Sequence, residues 1–454
     1  MLDADVTTLD RLGEQTTELL QLLIRNACVN DGTPDSGDET RSADLLADHL
    51  QGVGLDFVTH APLPRRASLV ARIEGTDPQA PTVCLMGHTD VVPVSPAGWQ
   101  RDPFGGELVD GEVWGRGAID MLNLTASMAV ATRHLAATGW KPRGTLIYFA
   151  VADEEAGGHF GAEWLADNAY DDIKADYVLT ESGGLAMRTP TGTHVTVTVA
   201  EKGIAWRRIR VRGTPGHGSM PFGTDNALVK AAEVVRRLHA YRPQARINDI
   251  WRAYAQAVDV DDDTRAALLD PARVYGACQA IAATSPGVAR FAHACTHTTF
   301  SPNVVAGGVK TNVVPDTVDI DVDIRTLPGE TAPDVADHLA AALGDMAATV
   351  EIVPIQDGLS SASPVTGELW DAVGRAVRRQ YPDAGLVPRI TAGGTDARFY
   401  RERGATAYGF GLYSPQVGPG DFASRFHGND ERVDVESLRM TTQLWLDVVT
   451  DLLG

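Results

Sequence analysis

Thr82-Val83-Cys84-Leu85-Met86-Gly87-His88-Thr89-Asp90-Val91-Val92-Pro93 spans the point where an apolar, β-prone run stops and a polar loop begins. The run is short, continuous and bounded by Gly87, which predicts a strand ending at that glycine. It delivers an imidazole at its end and a carboxylate two positions later, in a loop closed by Pro93. A liganding histidine is often presented this way, because a nearby carboxylate fixes the tautomer of the ring. The same residues also describe an ordinary polar turn, so His-x-Asp alone decides little. The carboxylates downstream strengthen the metal reading.

Strands and helices alternate around this stretch. Leu19, Leu20, Leu22, Leu23 and Ile24 predict a helix over about residues 16–28. A Gly/Pro/Asp loop from Asn30 to Gly37 separates it from a second helix carrying Ala43, Leu45, Leu46 and Leu50. Val58 and residues 68–73 read as strands, Asp110-Gly111 as a hairpin turn, and residues 125–138 as an Ala-rich helix. Residues 145–152 form a continuous apolar run of the kind found inside a sheet, and Asp153-Glu154-Glu155 follows directly. Residues 176–181 predict another strand ending in a carboxylate, Glu181. This alternation predicts an α/β fold with a central sheet flanked by helices.

The texture changes near Lys202. Residues 205–211 alternate arginine with apolar side chains, and 318–324 place Asp319, Asp321 and Asp323 opposite Val318, Ile320, Val322 and Ile324. Both read as half-exposed strands. With helices over 226–240 and 333–343 and a strand near 349–355, they predict an inserted α+β domain. The expected division is a catalytic domain of residues 1–202 and 358–454, and an insertion of 203–357 that includes the mixed segment 241–301.

Composition narrows the function. The 454 residues are 44% hydrophobic and 22% charged, as in a globular protein. Asp plus Glu number 60 against 39 Lys plus Arg, a net charge of −21, which disfavours nucleic acid and anionic membrane surfaces as partners. The acidic start, Met1-Leu2-Asp3-Ala4-Asp5, lacks the basic and apolar regions of a signal peptide. The four cysteines, Cys28, Cys84, Cys278 and Cys295, are scattered. Reduced thiols and a cytoplasmic location are the expectation.

His88, Asp120, Glu154 with Glu155, and Glu181 all stand at or just after predicted strands. In an open α/β sheet such positions gather around one crevice. His427, within Arg425-Phe426-His427-Gly428-Asn429-Asp430-Glu431, offers a second imidazole. Two histidines and three carboxylates suit two divalent ions of borderline softness, one carboxylate bridging and the second acid of a pair left free. Each acid taken singly reads equally well as a solvated strand end.

In order along the chain, Gly87-His88-Thr89-Asp90-Val91-Val92-Pro93, Gly115-Arg116-Gly117-Ala118-Ile119-Asp120-Met121, Asp153-Glu154-Glu155 and Gly216-His217 resemble the M20 metallopeptidases. That group comprises aminoacylases, desuccinylases, deacetylases and glutamate-type carboxypeptidases. The resemblance implies a zinc-peptidase-like catalytic domain with an inserted lid or dimerisation domain, and a homodimer formed through it. It implies two divalent ions, zinc first, with cobalt or manganese compatible. His88 and Glu181 would hold one ion, Glu155 and His427 the other, and Asp120 would bridge them, with a cis peptide to Met121. Asp90 would support His88, and Glu154 would act as general base on a water activated by metal. His217 would stabilise the oxyanion, often across a dimer. Arg325, Asn303 and the Gly393-Gly394-Thr395-Asp396 loop would meet substrate. Against these stand plainer readings: Arg325 in a surface ion pair with a neighbouring Asp, and the glycine loop as a turn before a helix.

Two departures from the family pattern leave the subfamily open: Leu122-Asn123 where many members carry Lys-Gly, and Glu181-Ser182-Gly183-Gly184 after the strand. The expected reaction is hydrolysis of an amide bond in an N-acyl amino acid or small peptide with a free carboxylate. The alternative is a catalytically silent binding protein of the same fold.

Overall fold

The computed structural model describes residues 5–189 and 192–454, so the first four residues of the acidic start lie outside the described residues. Two principal sheets organise them. The larger runs in the order Asp56–Leu63, Arg66–Ile73, Thr145–Val151, Thr82–His88, Tyr177–Thr180, Thr406–Gly409, Gly192–Glu201 and Ser361–Ala362. Gly183–Thr189 and Gly385–Thr391 also pair with Gly192–Glu201. At its centre Thr145–Val151, Thr82–His88 and Tyr177–Thr180 are mutually parallel, while the flanking Asp56–Leu63 and Arg66–Ile73 are antiparallel. The sheet is therefore mixed.

The continuous apolar run of the opening stretch follows from burial on both faces. Val83 and Leu85 enter one apolar layer, with the helices Val6–Asn26, Leu122–Ala137 and Val435–Leu453. Cys84 and Met86 point the other way, into a layer with Ala162–Asn168 and Ala397–Arg401. Period-two alternation is present, but both sets of side chains are apolar. Gly87 is fixed by packing, since a Cβ there would lie 2.4 Å from Thr125 Oγ1 and 3.0 Å from Thr125 Cα. Without a side chain at 87 the Leu122–Ala137 helix comes down directly over the strand end.

The smaller sheet runs Thr299–Gly307, Thr317–Thr326, Gly203–Arg212, Val350–Gly358, all antiparallel. Ala227–Ala240 and Ala332–Leu343 contribute to the core on one face, with Ile209, Val211, Val318, Ile320, Val322 and Ile324. The other face carries an ion-pair ladder: Arg208 onto Asp321 with both bonds at 2.7 Å, and Arg210 onto Asp319 at 2.8 and 2.9 Å.

The segment 241–301 reaches that small core at its end, where Phe300 packs against it. It forms the helices Asp249–Ala257, Asp262–Leu268, Val274–Ala282 and Pro286–Thr296. Trp251, Ala255, Leu268, Val274, Cys278, Ala292 and Cys295 belong to the apolar core of the large sheet. Phe291 lies 5.0 Å under the Arg389 guanidinium of Gly385–Thr391. The expected 203–357 insertion thus returns part-way to the larger body, because these helices carry the apolar faces that cover one of its strands. The sequence reading also passed over Gly183–Thr189, Gly192–Glu201 and Thr299–Gly307 as strands.

Candidate metal centre

Three parallel strands end on one edge of the large sheet, and each delivers a side chain there. His88 closes Thr82–His88; Glu154 and Glu155 follow Thr145–Val151 in a short helical turn; Glu181 follows Tyr177–Thr180. Asp120 arrives from the turn before Leu122–Ala137, and its peptide bond to Met121 is cis. His427 comes from the loop after Pro419–Arg425.

The imidazole of His88 is oriented by its own loop. Nδ1 lies 2.9 Å from the backbone oxygen of Asp90, which can only accept, so Nδ1 carries the hydrogen and Nε2 is turned inward. Nε2 stands 3.1 Å from Asp120 Oδ1, and His427 Nε2 stands 2.8 Å from Asp120 Oδ2. Asp120 therefore joins the two imidazoles, one on each oxygen. Ligand atoms of His88, Asp120 and Glu155 lie within 4.8 Å of one another, and so do those of His88, Glu154 and Glu181.

Charge is badly matched in this recess. Burial, with the neighbouring Glu155, Asp120 and Asp90, pushes the Glu154 carboxyl up to about 8 against the opposing pull of His88. Burial and Asp120 raise Glu155 to about 7, and burial with Glu154 and Asp120 holds Glu181 well above the usual carboxylate range. For His427 burial opposes protonation, but Asp120 and Glu155 override it and raise the ring to about 10. His88 is raised in the same way, against its burial, by Asp120, Glu154 and Asp90. Asp120 moves down despite burial, because both imidazoles bond to it.

These observations test whether the residues fit divalent ions. With the Nδ1 hydrogen committed to Asp90, His88 Nε2 meets a carboxylate oxygen at 3.1 Å, a contact that either a proton or a metal cation on Nε2 satisfies. Glu155 Oε1 is buried and accepts no hydrogen bond, with His427 Nε2 at 3.4 Å. Two imidazoles and four carboxylates present nitrogen and oxygen donors suited to zinc and its neighbours. The donor set fits.

Asp90 supports this centre by a second route that the sequence did not suggest. Its carboxylate sits 3.6 Å from His88 Nδ1, farther than its own carbonyl. It accepts instead from the backbone N–H groups of Glu154 at 3.2 Å and Glu155 at 3.0 Å, and from Asn30 Nδ2 at 2.8 Å. Glu431 does similar work for Asp120: Oε1 accepts from the N–H groups of Gly117, Ile119 and Asp120, and Oε2 meets Arg116 at 2.6 Å. Asn30, Arg66, Glu39 and Glu431 were not singled out from the sequence. Isolated polar residues in loops give no signal of where the chain will carry them.

The remaining expected site residues stay apart from the cluster. His217 is exposed on the inserted unit, where its Nδ1 meets Ser219 Oγ at 2.7 Å. Asn303 is exposed on Thr299–Gly307 and accepts from Ser301 at 2.7 Å. Arg325 is engaged by Asp323 at 2.8 Å, beside the Trp206 ring. Gly393 is exposed and Gly394 half-buried in the loop before Ala397–Arg401. The next amide, Thr395 N–H, is taken at 2.6 Å by the buried Glu201, which ties this loop to the large sheet.

Residues 84–451 match the sequence profile described as peptidase family M20/M25/M40. The chain belongs to this family. It is 29% identical to aminoacylase-1 of Sus scrofa over 81% of this chain and 80% of that protein. It is 26% identical to the N-fatty-acyl-amino acid synthase/hydrolase PM20D1 of Xenopus tropicalis, over 83% of this chain and 74% of the relative. A succinyl-diaminopimelate desuccinylase of Cereibacter sphaeroides is 28% identical over 92% and 94% of the two chains. In fold, the M20 family metallo-carboxypeptidase Sso-CP2 of Sulfolobus solfataricus superposes with a TM-score of 0.71 at 17% identity, covering 96% of this chain and 99% of that one. As an M20 protein with aminoacylase and peptidase relatives, the chain is a hydrolase acting on amide bonds. Among the described residues, no helix is long and apolar enough to cross a membrane.

Proposed function

We propose that this M20 protein is a dinuclear metal-dependent hydrolase of an N-acyl amino acid or small peptide carrying a free carboxylate. The observation that carries the reading is the Asp120 carboxylate with an imidazole on each oxygen, His88 at 3.1 Å and His427 at 2.8 Å. In this reading Glu181 completes the His88 side, Glu155 completes the His427 side, and Asp120 is common to both. Two divalent ions held there, zinc first and cobalt or manganese as alternatives, would supply Lewis acidity, making water nucleophilic near neutral pH and drawing charge from the amide carbonyl.

The chain's own residues do the rest. Glu154 stands in the group with His88 and Glu181, with a carboxyl poised near neutrality, which suits a base that takes a proton from water and returns it to the leaving nitrogen. Asp90 holds the backbone of Glu154 and Glu155 in place. His217, on the inserted unit, would stabilise the oxyanion after that unit closes or from a partner copy. Arg325 would have to exchange Asp323 for a substrate carboxylate, and Asn303, Gly393 and Gly394 would complete the substrate contacts. Val304 and Val305 are 53% and 56% exposed on the edge strand Thr299–Gly307, which supports pairing of two copies through the inserted unit. Four free, buried cysteines suit a cytoplasmic setting.

The test is hydrolysis by metal-loaded protein of a panel of N-acetyl, N-succinyl and long-chain N-acyl amino acids and of dipeptides, with and without chelator. The expected result is chelator-sensitive cleavage of at least one class. Metal binding with no cleavage anywhere in the panel would overturn the reading in favour of a silent binding protein.

A further inference from the structure

Behind the cluster, Asp90 is joined to buried polar residues that the proposed chemistry does not use. Arg66 is 1% exposed, Asn30 2%, Glu39 0% and Asp90 0%. Arg66 Nη1 donates to Glu39 Oε1 at 2.5 Å and lies 3.6 Å from Asp153 Oδ1. Arg66 Nη2 donates to Asn30 Oδ1 at 3.0 Å. Asn30 Nδ2 in turn donates to Asp90 Oδ2 at 2.8 Å and to Asp153 Oδ1 at 3.2 Å. The same Asp90 carboxylate receives the amides of Glu154 and Glu155.

The direction of these hydrogen bonds is set by which groups can only give and which can only accept. A guanidinium has donors alone, and a carboxylate has acceptors alone. Asn30 is the one member with both. Its oxygen faces the arginine and its amide faces the two acids; a flipped side chain would set like against like at both ends. Arg66 therefore decides which way Asn30 faces, and Asn30 decides where the Asp90 carboxylate rests. Glu39 closes the loop, since its Oε1 also accepts from the Asp153 N–H at 3.2 Å, immediately before Glu154. The packing leaves no slack, for a Cβ at Gly37 would fall 2.0 Å from Arg66 Nη1.

We propose that Arg66 and Asn30 are positioning residues: acting through Asp90, they set the place of Glu154 and Glu155 at the metal centre. The proposal rests on the reading of Glu154 as base and Glu155 as ligand. Such outer groups are commonly worth 10- to 100-fold in metal affinity or rate.

The experiment uses the full chain loaded with Co2+, whose visible absorption reports ligand geometry. The variants are Asn30→Asp, Arg66→Gln, the double variant, and Arg65→Ala as a control in the exposed Arg65–Asp38 pair. Asn30→Asp keeps the shape and replaces the donor by an acceptor. The expected result is a fall in kcat or Co2+ affinity of about 10- to 100-fold, an altered Co2+ spectrum, little change in KM, and a far-UV spectrum like the parent's. Because Arg66 acts in part through Asn30, the double variant should lose less than the sum of the two single losses. Parent-like kcat, affinity and spectrum in Asn30→Asp would overturn the proposal, as would fully additive losses in the double variant. If Arg66→Gln does not fold, Asn30→Asp decides alone. If the parent cleaves nothing in the panel, the proposed activity fails while Co2+ affinity and spectrum still decide the positioning role.

Discussion

Asp319 and Asp321 on the small sheet each receive a two-pronged arginine, and both carboxyls move down from their ordinary range, chiefly through those hydrogen bonds. At the edge of the large sheet Glu154, Glu155 and Glu181 crowd around Asp120 and two imidazoles, and these three carboxyls move up, chiefly through burial. Residue type does not separate the two regions. What separates them is whether the opposite charge is supplied by a neighbouring strand. An acid answered by arginine across a ladder is finished structure. Buried acids that face one another are not answered in this way, and the cations of the proposed function would supply that answer.

The sharpest way to break this contrast is to remove an acid from the crowded centre. Glu154→Gln should reduce kcat by about 100- to 10,000-fold, the usual worth of a general base, while metal content by elemental analysis stays at the parent level. Normal turnover in that variant would remove Glu154 from the chemistry. Next, Asp120→Asn should weaken binding of both ions, because Asp120 touches both imidazoles. His88→Ala should weaken the His88–Glu181 side first. Calorimetric titration with Zn2+ distinguishes them: equal behaviour of the two variants would contradict a bridging Asp120.

A smaller effect is expected in pH-dependent stability. In metal-stripped protein Glu154 and Glu155 ionise near 8 and 7 when folded, against an ordinary 4.5. The folded state then holds more protons than the unfolded state between about pH 4.5 and 8, so stability falls as pH rises through that window. His427, raised to about 10 from 6.5, acts in the same direction between those values. Differential scanning fluorimetry of stripped protein should show a melting temperature that declines from pH 5 to 8, with the decline relieved by Zn2+. A rising trend would contradict the crowding. The ladder behaves oppositely: Asp319 and Asp321 have lowered pKa values, so their contribution is present above the ordinary 3.8 and lost below it. Smallest of all, Arg208→Ala should leave activity unchanged and barely move the melting temperature, since the pair is partly exposed.

Much of this was legible in the chain. The apolar run 82–86 and the run 145–151 read as strands because apolar residues fill every position of a doubly covered strand. Their ends then located His88, Glu154 and Glu155, and the ordered motifs brought in Asp120, Glu181 and His427. The Thr/Val alternation of Gly192–Glu201 carries the same kind of signal, and that strand pairs with several others. The helices of 249–296 were harder, because an amphipathic helix states that it has a covered face but not which sheet covers it.

The sequence by itself determined which chemical groups stand at strand ends, since periodicity and glycine punctuation place the ends and residue type names the ligand. Only the tertiary structure decided what those groups meet. Arg325 could have awaited a substrate, and the fold gives it to Asp323. Asp90 read as the partner of His88, and the fold gives its carboxylate to Glu154, Glu155 and Asn30. Asn30 and Arg66 were loop and strand residues of no note until they were buried together, 36 positions apart in the chain. A hydrogen bond is decided by distance and direction between side chains, and no local rule of sequence carries that information across the chain.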